Sequence, residues 1–198
     1  MHRRNYGTDL TDEEWNELRP LLPGAKRMGR PRKRSLREIV DAVFYVQKTG
    51  CQWRLMPRDF PPWTTVYTYF DNWKKEGTWK DVHDFFRRKI RRQDERRGQP
   101  SAAVIDSQSV KSSEMAGAAG YDAGKKIKGR KRHLLVDSLG LVLAVVVHSA
   151  AIQDRDGAKL LFKRCETLCR LQLVWADGGY AGELIGWVKK SSAGSWRS

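Results

Sequence analysis

The hydrophobic pattern of this chain changes period near Gly98, and that change divides it into two regions of different texture. Before it, apolar residues fall at helical spacing. Val66, Tyr69, Phe70 and Trp73 stand at i, i+3, i+4 and i+7, and Val82, Phe85, Phe86 and Ile90 repeat the geometry. Thr11-Asp12-Glu13-Glu14 is a capping-box pattern that opens a helix to about Leu22, ended by Pro23-Gly24. Ser35-Leu36-Arg37-Glu38 is a second such pattern, opening a helix that ends at Gly50. Prolines at 57, 61 and 62 exclude helix from the segment leading to Trp63. Four helices with short joints predict a compact bundle, with Trp15, Trp53, Trp63 and Trp79 in its core.

Beyond Gly98 the apolar runs are β-branched and short. Strands are expected at 102–105, 133–136, 141–147 and 171–176, with Asp137-Ser138-Leu139-Gly140 as a hairpin turn. Helical periods cover 156–169 and 183–190. The order strand, strand, strand, helix, strand, helix predicts a mixed sheet flanked by helices, so the chain as a whole is α+β. Arg96-Arg97-Gly98-Gln99-Pro100 reads as the linker, giving regions 1–97 and 98–198.

The net charge is +15. Nucleic acid is the partner that such an excess favours, because neutralised phosphates release counterions; a soluble basic protein without that role is the plain alternative. Three cysteines build no disulfide framework, and Cys165 and Cys169 read as small buried residues on one helical face. Met1-His2-Arg3-Arg4 begins no secretory signal, and the apolar run 141–147 is too short to span a bilayer, so a reducing cytoplasm is expected and no membrane partner. His133 and His148 read as core or edge histidines.

Two acids share a local setting. Asp106 follows Ala-Ala-Val-Ile, and Asp177 follows Leu-Val-Trp-Ala. An acid at the end of a buried strand sits at the rim of a sheet, where open sheets place ligands. Two such acids side by side repel each other unless a divalent cation lies between them, and Mg²⁺ takes carboxylate oxygens while keeping positions for phosphates. The alternative is that each aspartate only starts a turn or caps a helix.

The basic residues cluster. Arg30, Arg32, Lys33 and Arg34 lie in one run, in which Gly29-Arg30-Pro31-Arg32 is similar to a minor-groove hook; a solvated basic loop is the competing reading. Lys125, Lys126, Lys128, Arg130, Lys131 and Arg132 form a second run that could clamp phosphates or form a charged hairpin. Lys111 follows the first acid on the same stretch. The helix from about Thr65 to Glu76 is the candidate reader of the major groove, with Thr68, Asn72, Lys74 and Lys75 on its exposed side.

Four longer motifs carry a resemblance. They are Asp106-Ser107-Gln108-Ser109-Val110-Lys111, the run from Gly120-Tyr121-Asp122 through Lys131-Arg132-His133, Ile152-Gln153-Asp154-Arg155-Asp156-Gly157-Ala158, and Ala176-Asp177-Gly178-Gly179-Tyr180-Ala181-Gly182. Together they resemble the DDE transposases of insertion-sequence family 5. Leu10-Thr11-Asp12-Glu13-Glu14-Trp15 and Gly50-Cys51-Gln52-Trp53-Arg54 resemble the helical, helix-turn-helix-like DNA-binding region of the same family. The resemblance runs over about residues 8–188. It implies an RNase H-like catalytic domain, Mg²⁺ (or Mn²⁺) as cofactor, and cleavage at the inverted repeats that end an element. The freed 3′-hydroxyl then joins target DNA.

By position, Asp106 resembles the first catalytic and metal-binding acid and Asp177 the second. The family's third acid is a Glu on a later helix, and no residue here matches it; Glu183 follows Asp177 too soon. The tail 191–198 departs from the family pattern. The expectation is an incomplete RNase H-like domain, truncated before the third acid and inactive or nearly so alone. The resemblance further implies double-stranded DNA and further copies of the chain as partners, and a place on the bacterial nucleoid. A non-catalytic DNA-binding protein that inhibits or represses, or a relic product, is the other function consistent with the tail.

Overall fold

The structure, a computed structural model, describes residues 5–24, 33–112, 119–165 and 170–180. It contains two compact units, Met1–Phe86 and Arg87–Ser198.

In the first unit, α1 (Asp12–Leu18) opens with the expected capping box. Thr11 Oγ1 accepts from the Glu14 amide at 3.2 Å, and Glu14 Oε2 accepts from the Thr11 amide at 2.9 Å. The box expected at Ser35 does not form, since the Ser35 side chain makes no capping bond to α2 (Leu36–Thr49). The first turn of α2 is tied down instead by Arg37, which donates to Asp12 at 2.5 Å and to the Leu10 carbonyl at 2.6 Å. Gly50 ends α2 in the left-handed region at φ 67°, which suits glycine. The helix α3 (Trp63–Glu76) starts directly after Pro61-Pro62, and α4 (Thr78–Gln93) follows.

Two apolar clusters hold the helices. One gathers Leu18, Leu22, Ile39, Val40, Trp73 and Val82, with Trp15 and Trp79 half-buried against it. The other gathers Ala42, Val43, Val46, Met56, Phe60 and Val66, with Trp53 and Trp63 packed on it. All four tryptophans expected in the core therefore pack against one of these clusters.

The second unit begins within the last turns of α4, ahead of the Gly98 junction. Buried Arg91 is one reason: it donates to the Arg97 carbonyl at 2.9 Å and pairs with buried Asp137. Asp137 Oδ1 also accepts from the amides of Leu139 and Leu141, both at 2.9 Å, and so shapes the hairpin turn. Five strands make the sheet: β1 (Ala102–Lys111), β2 (Gly120–Asp122), β3 (Ile127–Asp137), β4 (Val142–Ser149) and β5 (Leu173–Trp175). β3 pairs antiparallel with β1 on one side and with β2 and β4 on the other, while β5 adds to the free side of β1 in parallel. The sheet is mixed, as expected.

Helix α5 (Asp154–Lys163) covers one face of this sheet. Ala103, Ile105, Leu135, Val146, Ala158, Leu161, Cys165 and Leu171 form the core between them. One expectation changes here. β1 continues well past Asp106, so this acid lies mid-strand and not at a strand end. The basic run forms the turn and second arm of a hairpin, since β2 pairs antiparallel with the start of β3, and outward and inward residues alternate along that arm. The helix expected over 183–190 and Cys169 lie outside the described residues.

Gly157 in α5 shows how tightly the helix meets the sheet. A Cβ there would stand 2.1 Å from His133 Nε2 and 2.5 Å from His148 Nε2. Glycine to alanine inside a helix ordinarily gains about 0.5–1 kcal/mol. Overpacking costs about 1–3 kcal/mol, so the clash outweighs the propensity here. Gly157→Ala is expected to lower the melting temperature, and an unchanged or raised melting temperature would contradict this packing.

Candidate active site

The two acids reach one neighbourhood through the parallel pairing of β1 and β5. Ala102, Ala103 and Val104 pair with Leu173, Val174 and Trp175. The pairing ends at Val104 and Trp175, two residues before each acid, so Asp106 continues along β1 while Asp177 follows the end of β5. Both are exposed, Asp106 on the sheet face opposite α5. Asp106 Oδ1 also accepts from the Ser107 amide at 2.7 Å. The charges of both acids are felt at one phenol: burial first, then Asp154, Asp177 and Asp106, raise the Tyr180 hydroxyl far above its ordinary range.

The opposite, inward side of the same strands carries a polar layer against α5. Lys131, 3% exposed, pairs with Asp122 at 3.0 Å and Asp154 at 2.9 Å and donates to the Ile152 carbonyl at 3.1 Å. Burial works against its charge, but its bonds to Asp154 and Asp122 outweigh that and raise its pKa. The Ser109 hydroxyl donates to Asp122 at 2.6 Å and, with the Lys125 amide and Lys131, holds that carboxyl well below the usual range. One step along β3, fully buried His133 meets the Tyr180 hydroxyl through Nδ1 at 2.9 Å and stacks on His148 with ring centres 4.9 Å apart. Burial, then the His148 ring, push His133 down to about 4.

Residues 97–197 match the family described as "Transposase DDE domain", and residues 10–83 match "Putative transposase of IS4/5 family (DUF4096)". The chain belongs to the DDE transposase family. Among curated proteins it is similar to the "Insertion element IS402 uncharacterized 16.2 kDa protein" of Burkholderia cepacia, with 29% identity over 52% of this chain and 72% of that protein. No solved structure is significantly similar to it.

In this transposase the basic residues singled out by the sequence fall into separate settings. Lys128, Arg130 and Arg132 point outward from β3, on the sheet face that carries Asp106. Arg132 reaches Gln108 across the strands at 2.5 Å. Lys111 and Lys126 are exposed as well. Lys131 is turned the other way, and its burial between two carboxylates corrects the expectation that it meets phosphates. Lys125 directs its ammonium to the Ser107 carbonyl at 2.7 Å and hydroxyl at 3.1 Å. In the helical unit Lys33 and Arg34 are exposed, while Arg30 and Arg32 lie outside the described residues. Thr68, Asn72, Lys74 and Lys75 share the exposed side of α3; Lys75 is paired to Asp71 at 2.5 Å and Thr68 Oγ1 donates to the Thr64 carbonyl.

Among the described residues no group of three or more His, Cys, Asp or Glu side chains is arranged to hold a metal ion. No helix among them is long and apolar enough to cross a membrane. Cys165 is buried and its thiol is pushed up to about 11, consistent with a core residue. The sequence reading did not single out Tyr180, Asp122 or Asp154. Period-2 alternation over 127–137 is the signal that would have placed Lys131, His133 and Leu135 inside and Arg130 and Arg132 outside.

A pH dependence follows from His133. Unfolded, it takes up a proton near 6.5; folded, only near 4. Between those values the unfolded chain binds more protons, so stability falls as pH drops through that window. The contribution of Asp122 is lost only below its ordinary value of 3.8, which keeps the two effects apart. Chemical denaturation at pH 7 and pH 5 is expected to show the loss, and His133→Asn to shrink it; equal slopes for the two proteins would assign the loss elsewhere.

Proposed function

We propose that this chain is an insertion-sequence transposase that binds the terminal inverted repeats of its element and carries two acids of a Mg²⁺-dependent phosphodiester site. The observation that supports this most is the parallel pairing of β1 with β5, which ends two residues before both Asp106 and Asp177 and so leads the two acids toward one place. Two neighbouring, exposed carboxylates supply hard oxygen donors of the kind Mg²⁺ or Mn²⁺ prefers, so the residues fit the ion that the family uses. Mg²⁺, when bound, neutralises the charge that gathers on the attacked phosphate.

The residues divide the remaining work. Lys128, Arg130 and Arg132 lie on the same sheet face as Asp106 and hold backbone phosphates of the duplex beside it. Lys111 and Lys126 extend that contact. In the helical unit, α3 offers Thr68, Asn72, Lys74 and Lys75 to the major groove, and the stretch from Arg30 to Arg34 offers its cations to the backbone or minor groove. The reaction is transfer at phosphorus: water attacks, the bond to the 3′ oxygen breaks and that oxygen leaves as a hydroxyl. The hydroxyl then attacks a phosphorus of target DNA and displaces its 3′ oxygen in turn. On family grounds the chain works as a homo-oligomer on paired ends, at the nucleoid.

Regions 1–97 and 98–198 divide these tasks into recognition and chemistry. The 198 residues contain two matched acids and no match to the third, so the purified chain is expected to bind repeat DNA and a divalent cation with little strand cleavage. Rapid Mg²⁺-dependent nicking of repeat DNA by this chain alone would overturn that expectation. Asp106→Asn and Asp177→Asn should each abolish residual nicking and weaken Mn²⁺ binding while leaving DNA binding intact; full metal affinity in both would remove the proposed site.

The opposed directions of β3 side chains give a sharper contrast. Arg130→Ala and Arg132→Ala are each expected to reduce the log–log salt slope of duplex binding by about 0.9. Lys131→Met should leave that slope alone and instead destabilise the fold by about 3 kcal/mol, since it strands buried Asp122 and half-buried Asp154. A slope that shifts for Lys131→Met and not for Arg132→Ala would reverse the assignment.

A further inference from the structure

The backbone pairing of β5 stops at Trp175, two residues short of Asp177. Something else must hold this acid at a defined height above β1. The next residues form a 3-10 turn, Gly178–Tyr180, closed by the Tyr180 amide donating to the Asp177 carbonyl at 3.2 Å. Tyr180 then turns inward: its ring is 2% exposed and packs in the core under the sheet.

We propose that Tyr180 and His133 are positioning residues, a side-chain pin that sets Asp177 beside Asp106. The Tyr180 hydroxyl meets His133 Nδ1 at 2.9 Å, and His133 lies on β3, the strand paired with β1. Ser107 is the residue after Asp106, and it is the cross-strand partner of His133. Through His133, one phenol therefore ties the turn bearing one acid to the strand bearing the other. The anchor itself is rigid. His133 is fully buried, stacked on His148, and closed off by the bare Cα of Gly157, while Lys125 holds Ser107 from the other side. This inference rests on the reading of Asp177 as a metal-binding acid. Tyr180 touches neither phosphate nor metal in it; its effect passes through the turn.

The test uses the full 198-residue chain and two readouts. The first is amide hydrogen exchange over residues 176–180. The second is Mn²⁺ affinity, read by electron paramagnetic resonance with Mn²⁺ as the probe. Tyr180→Phe keeps the ring and deletes the hydroxyl. It is expected to speed exchange of the turn and weaken Mn²⁺ binding, each by roughly two- to tenfold, the range for one lost hydrogen bond. His133→Asn keeps an acceptor near Nδ1 and should retain most of both properties, whereas His133→Leu should lose them.

Leu161→Ala, in the same core, should lower the melting temperature without changing either readout below the transition. Wild-type exchange in Tyr180→Phe, or changes no larger than those of Leu161→Ala, would overturn the pin. If the wild type binds Mn²⁺ no better than Asp177→Asn, the metal-binding reading fails, and the exchange measurement still decides whether the pin exists.

Discussion

The proposed site of this chain depends on the three residue pairs that join β5 to β1. Without them nothing would relate the segment that leads into Asp177 to the strand that bears Asp106. Parallel strands need a long crossover between them, and here the route passes through β2, β3, β4 and α5 before returning to the side of β1. Most of the second unit is therefore the means by which two segments distant in sequence, β1 and β5, become neighbours. β5 is short, and its ladder ends before the acid, so side chains complete what the backbone begins.

The second feature is the interior of the α5-facing layer, which is apolar at one end and polar at the other. Ile105 and Leu135 pack conventionally against Ala158 and Leu161. Toward the β2 end, Ser107, Ser109, Lys131 and His133 occupy the same face and are buried just as deeply. Burying a charge is costly unless partners surround it, and Lys131 has two carboxylates and a carbonyl. An apolar layer would bury the same area at less electrostatic cost. What it would lack is direction, since a hydrogen bond constrains angle as well as distance.

Much of this was legible in the sequence. The helical period before Gly98, the Thr11 capping box and the hairpin turn at Asp137 all correspond to observed structure. The family motifs added the domain type. The misreadings share a cause. β1 and β3 were seen only where their inward residues are apolar, at Ala103, Ile105 and Leu135. Where the inward residues are Ser107, Ser109 and Lys131, hydrophobic alternation vanishes and strand reads as loop or charged turn. Their burial depends on Asp122 and Asp154, brought from elsewhere in the chain, and no local pattern encodes a partner. The absent cap at Ser35 has a similar origin: Arg37 and Asp12 secure that end of α2 from across the unit.

The polar layer also explains how a strand with a stretch as cationic as Lys128–Arg132 finds one alignment. By size and charge alone, β3 could slide along β1 with small penalty, because Arg130, Lys131 and Arg132 look alike to a neighbouring strand. A slip of one residue would bring Arg130 and Arg132 beneath α5 and expel Lys131 and His133. A slip of two would face Asp122 and Asp154 with either Gly129 or His133, leaving two carboxylates without their cation. The Lys131 cluster thus acts as a frame check on strand pairing, and it keeps the outward arginines in step with the acid they flank.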